Sequence, residues 1–468
     1  MFSRMNGFDF DVAVIGGGSG GHAAARTAAG AGLRTVVIEG GKEVGGLCIL
    51  RGCMPTKALL YAADVIHLAR HADTWGIRQS EISFDFAQVM ARKNTMIKGF
   101  ADDRVQQLIS GKFKFTRALA HFVDSHTVAL SNGETITAAN FIISTGSVVS
   151  QPPLPQLKQT GYLTSDEALT LMARPKSLIV LGGGAVAVEF AQFFARFDTK
   201  VTVVQRSEHI LRDFDTDAAA ELEKVFRRDG MSVFTGTKLV DARREGDLKA
   251  VLFEHEGKTI RMAAEEILFA LGRTPDTAGL HLEKAGLTTE NRRIVTNPQM
   301  QTSAPHIYAA GDCTGPHEIV HIAIQQGEIA AHNIAHPGQA RRIDYRLLSR
   351  VVFTDPQIGT VGLTEKEAKA RNIPCLAASY PFNDHGKSLI MDAKDGFVKL
   401  LADPKTGEIL GGCCVGPMGG ELIHEIIAAM AKRMSVHELA AMPHYHPTLA
   451  EIWTYPAEEL AEKIGSRT

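Results

Sequence analysis

The sequence has few cysteines, no long apolar run and no excess of charge of one sign. Six cysteines in 468 residues are too few for the disulfide framework of a small secreted protein. No apolar stretch approaches the roughly 20 residues that span a bilayer, and the segment MFSRMNGFDFDVAVIGGG has no signal-peptide hydrophobic region. The 50 basic and 52 acidic residues form no long like-charge runs, which argues against binding to nucleic acid or an anionic membrane. We therefore expect a cytoplasmic protein with small-molecule or protein partners.

The chain is also too long for a single core. Hydrophobic cores stop growing at about 250 to 300 residues, whereas this chain has 468 residues, of which 45% are hydrophobic. The sequence therefore predicts a multidomain globular protein.

A glycine-rich motif near the N-terminus predicts a dinucleotide site. The apolar run Val12 to Ile15 leads into Gly16, Gly18 and Gly21, which have GxGxxG spacing. These glycines permit, in turn, a tight turn, close approach of a pyrophosphate and packing of a helix on the strand. The next apolar run, TVVIE, ends at Glu39, where a carboxylate would accept hydrogen bonds from an adenosine ribose. A glycine turn without a ligand is the alternative, but strand, helix, second strand and terminal acid together favour a dinucleotide.

The same pattern recurs in SLIVLGGGAVAVEFAQFFARFDTKVTVVQRSE. Gly182, Gly184 and Ala187 have GxGxxA spacing, and the second apolar run ends at Gln205 rather than at an acid. A carboxylate at that position would repel a ribose 2′-phosphate, whereas neutral Gln205 would not. The sequence therefore predicts a second dinucleotide site.

Two arginines follow Gln205 and bear on which nucleotide binds there. Arg206 and Arg212 are placed to pair with a phosphate. The alternative is that both are solvated surface charges. We favour NADPH over NADH at this site.

Two dinucleotide sites in one chain suggest one flavin and one nicotinamide nucleotide, because electrons then pass between two cofactors. Three further segments fit a two-cofactor protein. FIISTGS and ILFALGRTP each read as a buried strand that ends in a turn, at Gly146 and Gly272, and IYAAGDCTG ends at Gly311 and Asp312. An aspartate at a strand end is well placed to accept hydrogen bonds from ligand hydroxyls.

Between these motifs, GGLCILRGCMPTK contains Cys48 and Cys53. The pair is open to four interpretations: metal ligands, a structural disulfide, buried thiols or a redox couple. A zinc site would usually need two further ligands at characteristic spacing, and no CxxC pair is present, so we predict no metal site. If a helix begins near Cys53, its N-terminal dipole favours a thiolate there.

In their order along the chain, these motifs resemble those of the flavoprotein disulfide reductases. That family includes dihydrolipoamide dehydrogenase, glutathione reductase and mercuric reductase, and the resemblance covers nearly the whole chain. The motifs that carry it are GGGSGG, GGLCILRGCMPTK, STGS, GGGAVAVE, LGRTP, AAGDC, FTDPQIGTVG and HYHPTLAE.

The resemblance implies an α/β fold with two Rossmann-like dinucleotide-binding domains and a C-terminal α+β dimerisation domain. It implies FAD binding by residues 1–150 and 276–345, NAD(P) binding by residues 151–275 and an interface domain at residues 346–468. The expected protein is a homodimer with one FAD per subunit that uses NADPH or NADH.

The resemblance also implies roles for individual residues. Cys53 corresponds to the charge-transfer thiol beside the flavin and Cys48 to the interchange thiol that attacks the substrate. Lys57 corresponds to a lysine near the flavin that pairs with a glutamate, whose position matches Glu189.

Near the C-terminus, HYHPTLAE places His446 five residues before Glu451. In the family such a histidine is the active-site base, oriented by the glutamate, and it reaches the cysteine pair of the partner subunit. An isolated His–Glu pair is more often structural, and His444 is either a neighbour or half of a two-histidine metal site. The vicinal Cys413 and Cys414 lie in an apparent strand, which favours packing.

Within the family, HYHPTLAE most resembles dihydrolipoamide dehydrogenase, so a lipoamide-like dithiol, free or on a lipoyl protein, ranks first. An NADPH-dependent reductase of another small disulfide ranks second. Arg26 matches an arginine that binds a glutathione carboxylate, but Glu328 replaces a second one and would repel it. A mercuric reductase disagrees with the C-terminal EKIGSRT, which lacks cysteines, and with His446. A non-catalytic flavin-binding subunit is the remaining alternative, although every candidate active-site residue is present.

Overall fold

The computed structural model describes residues 7–78 and 81–465. Its β-strands, in chain order, are β1 (Phe10–Ile15), β2 (Thr35–Glu39), β3 (Lys114–Arg117), β4 (Ala120–Asp124), β5 (Thr127–Leu130), β6 (Thr135–Ile143), β7 (Ser147–Val149), β8 (Ser177–Leu181), β9 (Lys200–Val204), β10 (Ser232–Phe234), β11 (Lys238–Glu245), β12 (Leu248–His255), β13 (Lys258–Ala264), β14 (Glu266–Phe269), β15 (Arg273–Pro275), β16 (Thr289–Glu290), β17 (Arg293–Ile294), β18 (Ile307–Ala309), β19 (Ser349–Val352), β20 (Gln357–Gly362), β21 (Leu376–Pro381), β22 (Phe397–Ala402) and β23 (Ile409–Gly416).

The α-helices are α1 (Ser19–Gly30), α2 (Gly46–Arg51), α3 (Cys53–Arg70), α4 (Phe86–Leu108), α5 (Gln156–Thr160), α6 (Ser165–Ala168), α7 (Ala185–Arg196), α8 (Thr216–Arg228), α9 (Val320–Ala335), α10 (Glu365–Ala370), α11 (Gly386–Ile390), α12 (Gly419–Ala431), α13 (Val436–Ala441) and α14 (Thr454–Ile464). Short 3-10 helices include Asp312–Thr314 and Ala450–Trp453.

The chain divides into two compact units, of which the first contains residues up to 56, residues 91–151 and residues 272–343. Its main sheet has the order β3-β2-β1-β6-β5-β4, with β18 also paired to β6. The pairs β1–β2, β1–β6, β2–β3 and β6–β18 are parallel, whereas β5 is antiparallel to β4 and β6. Every residue of β1 after Phe10 is buried, as expected for a central strand covered on both faces. Helix α1 buries most of its alanines and glycines: Gly20, Gly21, Ala23, Ala24, Ala25 and Ala28.

The second unit contains residues 57–90, 152–271 and 344 onwards. Its first part has a parallel sheet of order β10-β9-β8-β14, in which α7 connects β8 to β9 and α8 connects β9 to β10. Strands β11, β12 and β13 form a separate antiparallel sheet. Both dinucleotide motifs therefore lie in strand–helix–strand units, which is the context that the sequence predicted.

The C-terminal part of the second unit is an antiparallel sheet of order β19-β20-β23-β22-β21 with α12, α13 and α14. Cys413 and Cys414 lie on β23 and are buried, which confirms the prediction that they pack in a strand. Because successive strand residues face opposite ways, Cys413 joins the hydrophobic cluster around β8 and α7, and Cys414 joins the one around α12 and α14.

The predicted fold class, with two Rossmann-like parts and a C-terminal α+β part, is confirmed by these sheets. Within the predicted segment of residues 1–150, residues 57–90 group with the second compact unit. The assignment of the segments to FAD, NAD(P) and dimer contacts stays a prediction. Across residues 7–78 and 81–465, none of the helices is long and apolar enough to cross a membrane.

Candidate active site

The first glycine-rich turn connects β1 to α1 and has no room for side chains. Gly16 has φ +105°, and a Cβ there would lie 2.2 Å from the carbonyl oxygen of Ser144. A Cβ on Gly21 would lie 1.9 Å from the carbonyl oxygen of Gly16. Helix α1 begins after Gly18 without a side-chain cap, so its first N–H groups are available to an anionic ligand. These features fit the pyrophosphate of a dinucleotide.

Glu39, at the end of β2, supports this turn. Its two carboxylate oxygens accept hydrogen bonds from the backbone N–H groups of Gly17 at 2.7 Å and Gly41 at 2.6 Å. A carboxylate oxygen has more than one acceptor position. Glu39 therefore orders the turn and keeps capacity for the ribose hydroxyls that the sequence predicted.

The predicted turn residues Gly146, Gly272 and Asp312 lie in the same unit. Gly146 and Gly272 have φ +75° and +115°, with open space where a Cβ would lie. Asp312 begins a 3-10 helix and accepts a hydrogen bond from Ser147 Oγ at 2.7 Å. Burial raises the pKa of the Asp312 carboxyl, while the hydrogen bond from Ser147 opposes that rise.

The second glycine-rich turn, between β8 and α7, has the same construction. Gly182 has φ +113°, and a Cβ there would lie 2.4 Å from the carbonyl oxygen of Ala270. Helix α7 follows Gly184 without a side-chain cap, and the space beside Gly184 is open. Ala187 is fully buried in the first turn of α7. This turn also fits a dinucleotide phosphate.

The residues that follow β9 differ in their surroundings. Gln205 is buried, and its Cγ lies 3.0 Å from where a Cβ on Gly183 would be. Arg206 is exposed and has no ion pair with any residue that the structure describes. Arg212 is exposed and its Nε lies 3.5 Å from Asp213 Oδ1. Arg206 thus has the more available guanidinium of the two.

Cys48 and Cys53 are held close together by a short helix and a glycine. Cys48 lies in α2, and Cys53 is the first residue of α3, so the predicted helix start is confirmed. A Cβ on the intervening Gly52 would lie 3.0 Å from the carbonyl oxygen of Leu47. Both side chains are half-buried.

The two thiols interact directly. The hydrogen bond between Cys48 and Cys53, together with burial, raises the pKa of the Cys48 thiol well above its ordinary value. The Arg104 guanidinium acts in the opposite direction on the same pKa.

The cysteine segment also packs against the first glycine-rich turn. Gly45 and Gly46 have φ +148° and +73°, and a Cβ on Gly46 would lie 2.6 Å from the Cα of Gly18. Only glycine tolerates both the backbone conformation and the contact. The segment that leads into Cys48 therefore packs directly on the first glycine-rich turn.

Lys57 and Glu189, which lie in the second unit, are brought together as a part-buried ion pair. Lys57 Nζ lies 2.8 Å from Glu189 Oε2 and 3.0 Å from Oε1. The backbone N–H of Phe353 also donates to Glu189 Oε1 at 3.0 Å, and the ammonium lies 4.6 Å from the centre of the Phe353 ring. Glu189 thus fixes the position of a cation.

His446 and Glu451 are hydrogen bonded. Nδ1 of His446 lies 2.9 Å from Glu451 Oε2 and 3.1 Å from Oε1. The His446 side chain is 78% exposed, whereas that of Glu451 is 11% exposed. A carboxylate on Nδ1 fixes the tautomer and leaves Nε2 available as a base. His444 instead pairs with Glu425, at 2.6 Å from Nε2.

Two residues near these groups were not singled out from the sequence. Arg104 lies on α4, and its Nε and Nη1 atoms are buried without a hydrogen-bond partner among the described residues. The Nε2 atom of His385 lies 3.4 Å from Glu451 Oε1. Neither has a motif or a spacing in the sequence that connects it to Cys48 or Glu451.

Two further ion pairs involve Arg26 and Arg51. Arg26 donates to Glu328 at 3.0 Å, so the glutamate neutralises the arginine that was compared with a glutathione-binding residue. Arg51, between the cysteines, pairs with Glu43. The described part of the chain contains no group of three or more His, Cys, Asp or Glu side chains arranged to hold a metal.

A family model described as pyridine nucleotide-disulphide oxidoreductase matches residues 10–327, and a model of the dimerisation domain of the same family matches residues 348–457. The chain belongs to the pyridine nucleotide-disulphide oxidoreductase family. The family implies FAD and NAD(P)H as cofactors, and the dimerisation domain indicates a homodimer.

Curated relatives and solved structures agree with this assignment. Dihydrolipoyl dehydrogenase of Geobacillus stearothermophilus is 36% identical over 454 residues, covering 96% of this chain and 95% of the relative. The same enzyme of Thermus scotoductus is 36% identical over 464 residues, covering 96% and 97%.

The structure of LpdA from Mycobacterium tuberculosis has a TM-score of 0.86 and 28% identity, covering 96% of this chain and 99% of that chain. The HOCl-induced flavoprotein disulfide reductase RclA from Escherichia coli has a TM-score of 0.85 and 26% identity, covering 96% and 99%. This member of the pyridine nucleotide-disulphide oxidoreductase family is therefore an enzyme, a dihydrolipoyl dehydrogenase-like flavoprotein disulfide oxidoreductase.

Proposed function

We propose that this enzyme oxidises a dihydrolipoyl dithiol, free or on a lipoyl protein, and uses NADP(H) as its nucleotide. The observation that carries the proposal is the packing of Gly46 against Gly18, which joins the cysteine segment to the first dinucleotide turn. When bound, FAD supplies a two-electron relay between the nicotinamide nucleotide and the cysteine pair. The expectation of a cytoplasmic location stays a prediction from the sequence.

The chemistry at the cysteines is thiol–disulfide exchange. With Cys48 and Cys53 joined as a disulfide, one substrate thiolate attacks the sulfur of Cys48, forms a mixed disulfide and releases Cys53 as a thiolate. The second substrate thiol then attacks the substrate sulfur of the mixed disulfide. This step closes the lipoyl ring and releases Cys48. Two electrons pass from the substrate dithiol to the protein cysteines. The raised pKa of the Cys48 thiol, whose largest cause is the hydrogen bond with Cys53, supports this order of roles.

His446 is the base in this proposal. Its neutral imidazole accepts a proton from a substrate thiol and returns it to the departing Cys48. The 2.9 Å hydrogen bond from Nδ1 to Glu451 stabilises the imidazolium that forms. From the family resemblance, we infer that His446 serves the cysteine pair of the second subunit.

Lys57 is assigned the role of a fixed cation. The contacts of Glu189 with both Lys57 and the Phe353 backbone support this role, because they hold the ammonium in one place. A fixed positive charge favours a neighbouring group that becomes anionic on reduction.

The preference for NADP(H) rests on the end of β9. Gln205 carries no charge to repel a 2′-phosphate, and the exposed Arg206 has no competing carboxylate. The dehydrogenase relatives support the dithiol substrate, and the Arg26–Glu328 pair argues against a glutathione carboxylate at Arg26.

The proposal is tested by anaerobic titration of the purified holoenzyme. NADPH and NADH are added separately, and lipoamide, oxidised glutathione or Hg(II) then serves as acceptor while the flavin spectrum is followed. We expect a long-wavelength thiolate-to-flavin band that lipoamide removes and glutathione does not. Removal of the band by glutathione or Hg(II) alone would contradict the dithiol assignment, and absence of the band would contradict the redox role of the cysteine pair.

A further inference from the structure

A second histidine contacts Glu451 of the His446–Glu451 pair. His385, which immediately precedes α11, is fully buried. Its Nε2 lies 3.4 Å from Glu451 Oε1, and its Nδ1 lies 2.8 Å from Ser388 Oγ. The Glu451 carboxylate therefore contacts two imidazoles, one exposed and one buried. The 3.4 Å contact does not meet hydrogen-bond geometry, so Nε2 of His385 is a buried nitrogen without a hydrogen-bond partner among the residues that the structure describes.

The buried histidine is neutral near pH 7. Burial lowers the pKa of His385, although Glu451 opposes that effect. A neutral imidazole has one N–H donor and one acceptor nitrogen. When the Ser388 hydroxyl donates to Nδ1, the ring proton lies on Nε2 and faces the carboxylate. The opposite tautomer would direct a nitrogen lone pair at the Glu451 anion, which is repulsive.

We propose that His385 is a positioning residue for the active-site base. Its buried Nε2–H, 3.4 Å from Oε1 of Glu451, attracts that oxygen electrostatically, so that Oε2 stays directed at Nδ1 of His446. Ser388 keeps His385 in the tautomer that makes this contact. This inference deepens the proposed function and rests on it, since it gives His446 its role in dithiol chemistry.

A neutral imidazole suits position 385 better than a cation or an apolar side chain. A cation at His385 would compete with His446 for the same carboxylate and weaken its effect on the base. A hydrocarbon would leave the largely buried Glu451 with a poorly solvated oxygen, so the carboxylate would turn away or take up a proton. Both a cation and a hydrocarbon at position 385 would therefore lower the proton affinity of His446.

Other titratable groups lie around His385, His446 and Glu451. Their protonation has to stay the same when the variants are compared. Tyr455 lies edge-on to the His385 ring and stacks on Tyr380, whose hydroxyl donates to Asp384. Burial and Asp384 raise the pKa of Tyr380 to about 12, so its phenol stays protonated at neutral pH. The remaining pair, His444 and Glu425, forms its own hydrogen bond.

Three variants of the holoenzyme test the proposal: His385→Leu, His385→Gln and Ser388→Ala. Leucine removes the donor, whereas glutamine keeps an N–H donor that reaches toward Glu451. Ser388→Ala is a small change that removes only the hydroxyl on Nδ1. FAD content and dimer mass verify that each variant is folded.

The first readout is the titration of His446 by NMR, in enzyme labelled with 13Cε1-histidine and assigned with His446→Gln. The second is the pH dependence of kcat and KM for dihydrolipoamide. In His385→Leu we expect the proton affinity of His446 to fall about tenfold, equivalent to about one pKa unit. The acid limb of the kcat profile should move to lower pH, kcat should fall about tenfold and KM should change less than about twofold, as expected when base strength rather than binding is lost.

The two other variants make the role specific. His385→Gln should restore the His446 titration to near that of the wild type, and Ser388→Ala should shift it in the same direction as His385→Leu but by less. Unshifted His446 titrations in His385→Leu and Ser388→Ala would overturn the proposal. If His385→Leu loses FAD, Ser388→Ala decides alone. An unshifted His446 titration in Ser388→Ala would then be sufficient to overturn the proposal. A wild-type enzyme that does not oxidise dihydrolipoamide would contradict the proposed function, whereas the His446 titration would still decide the role of His385.

Discussion

The ammonium of Lys57 lies 2.8 Å from Glu189 Oε2, in a pair whose carboxylate is only 3% exposed. Removing one partner of a buried pair costs about 3 to 5 kcal/mol. The cost should be smaller here, because 32% of the Lys57 side chain is exposed.

Lys57→Met should therefore lower both the melting temperature and the rate of flavin reduction by the nicotinamide nucleotide. We expect the rate, measured by stopped flow at the flavin absorbance, to fall by about tenfold, equivalent to about 1.4 kcal/mol in the barrier. Glu189→Gln is the matched control, because it keeps the shape and an acceptor for the Phe353 N–H. Glu189→Gln should lower the melting temperature less than Lys57→Met does, yet it should also slow the reduction of the flavin. Wild-type reduction in Lys57→Met would show that the cation has no role.

Cys48→Ser should abolish the oxidation of dihydrolipoamide while leaving reduction of ferricyanide by the nicotinamide nucleotide. The serine hydroxyl cannot form a mixed disulfide, whereas electron transfer to ferricyanide needs no interchange thiol. Both activities are measured on the same FAD-loaded preparation. Dithiol turnover in this variant would mean that another cysteine is the interchange thiol.

The thiol of Cys48 should become more reactive when Cys53 is replaced. The hydrogen bond to Cys53 and burial raise the pKa of Cys48, so little Cys48 thiolate is present at pH 7 in the reduced wild type. Cys53→Ala removes the first of these causes, so the thiolate should form at lower pH. Alkylation of Cys48 by iodoacetamide, followed by mass spectrometry between pH 6 and 10, should therefore be faster at pH 7 in Cys53→Ala.

Arg104→Gln is the opposing control for that experiment. The Arg104 guanidinium lowers the pKa of Cys48, so its removal should move the alkylation profile to higher pH. Identical profiles in the wild type and both variants would contradict the electrostatic description of the cysteine pair.

Arg206→Glu tests the nucleotide preference. A charge-assisted hydrogen bond is worth about 1.5 to 3 kcal/mol, so the KM for NADPH should rise by about tenfold or more, with little change for NADH. Arg212→Glu is the matched control and should have the smaller effect, since Arg212 already lies 3.5 Å from Asp213. Equal effects of Arg206→Glu on both nucleotides would show that Arg206 does not contact a 2′-phosphate.

Much of the fold was predictable because its motifs are local. The two glycine-rich turns, at Gly16 and Gly182, lie between strands and helices as the sequence pattern predicted. The start of α3 at Cys53 and the burial of Cys413 and Cys414 were also predicted correctly. Each of these features depends on residues within one segment of about 30, so periodicity and turn chemistry were sufficient.

Contacts between distant segments needed either a family resemblance or the structure. The pairing of Lys57 with Glu189, 132 residues apart, was expected only from the resemblance. His385 and Arg104 were missed, because their relevance depends on where the chain returns in space and not on any spacing. The grouping of residues 57–90 with the second unit was likewise invisible, since helices α3 and α4 have no sequence signal at the unit boundaries.

Strand β23 contributes side chains to both hydrophobic clusters of the second unit. Cys413 and Cys414 are adjacent in the chain but belong to the two different clusters. Damage to the strand would therefore loosen both clusters together. We expect the parallel sheet that contains β8 and the C-terminal sheet to melt as one cooperative block, so that amide hydrogens in β8 and β22 lose their protection from exchange at the same temperature.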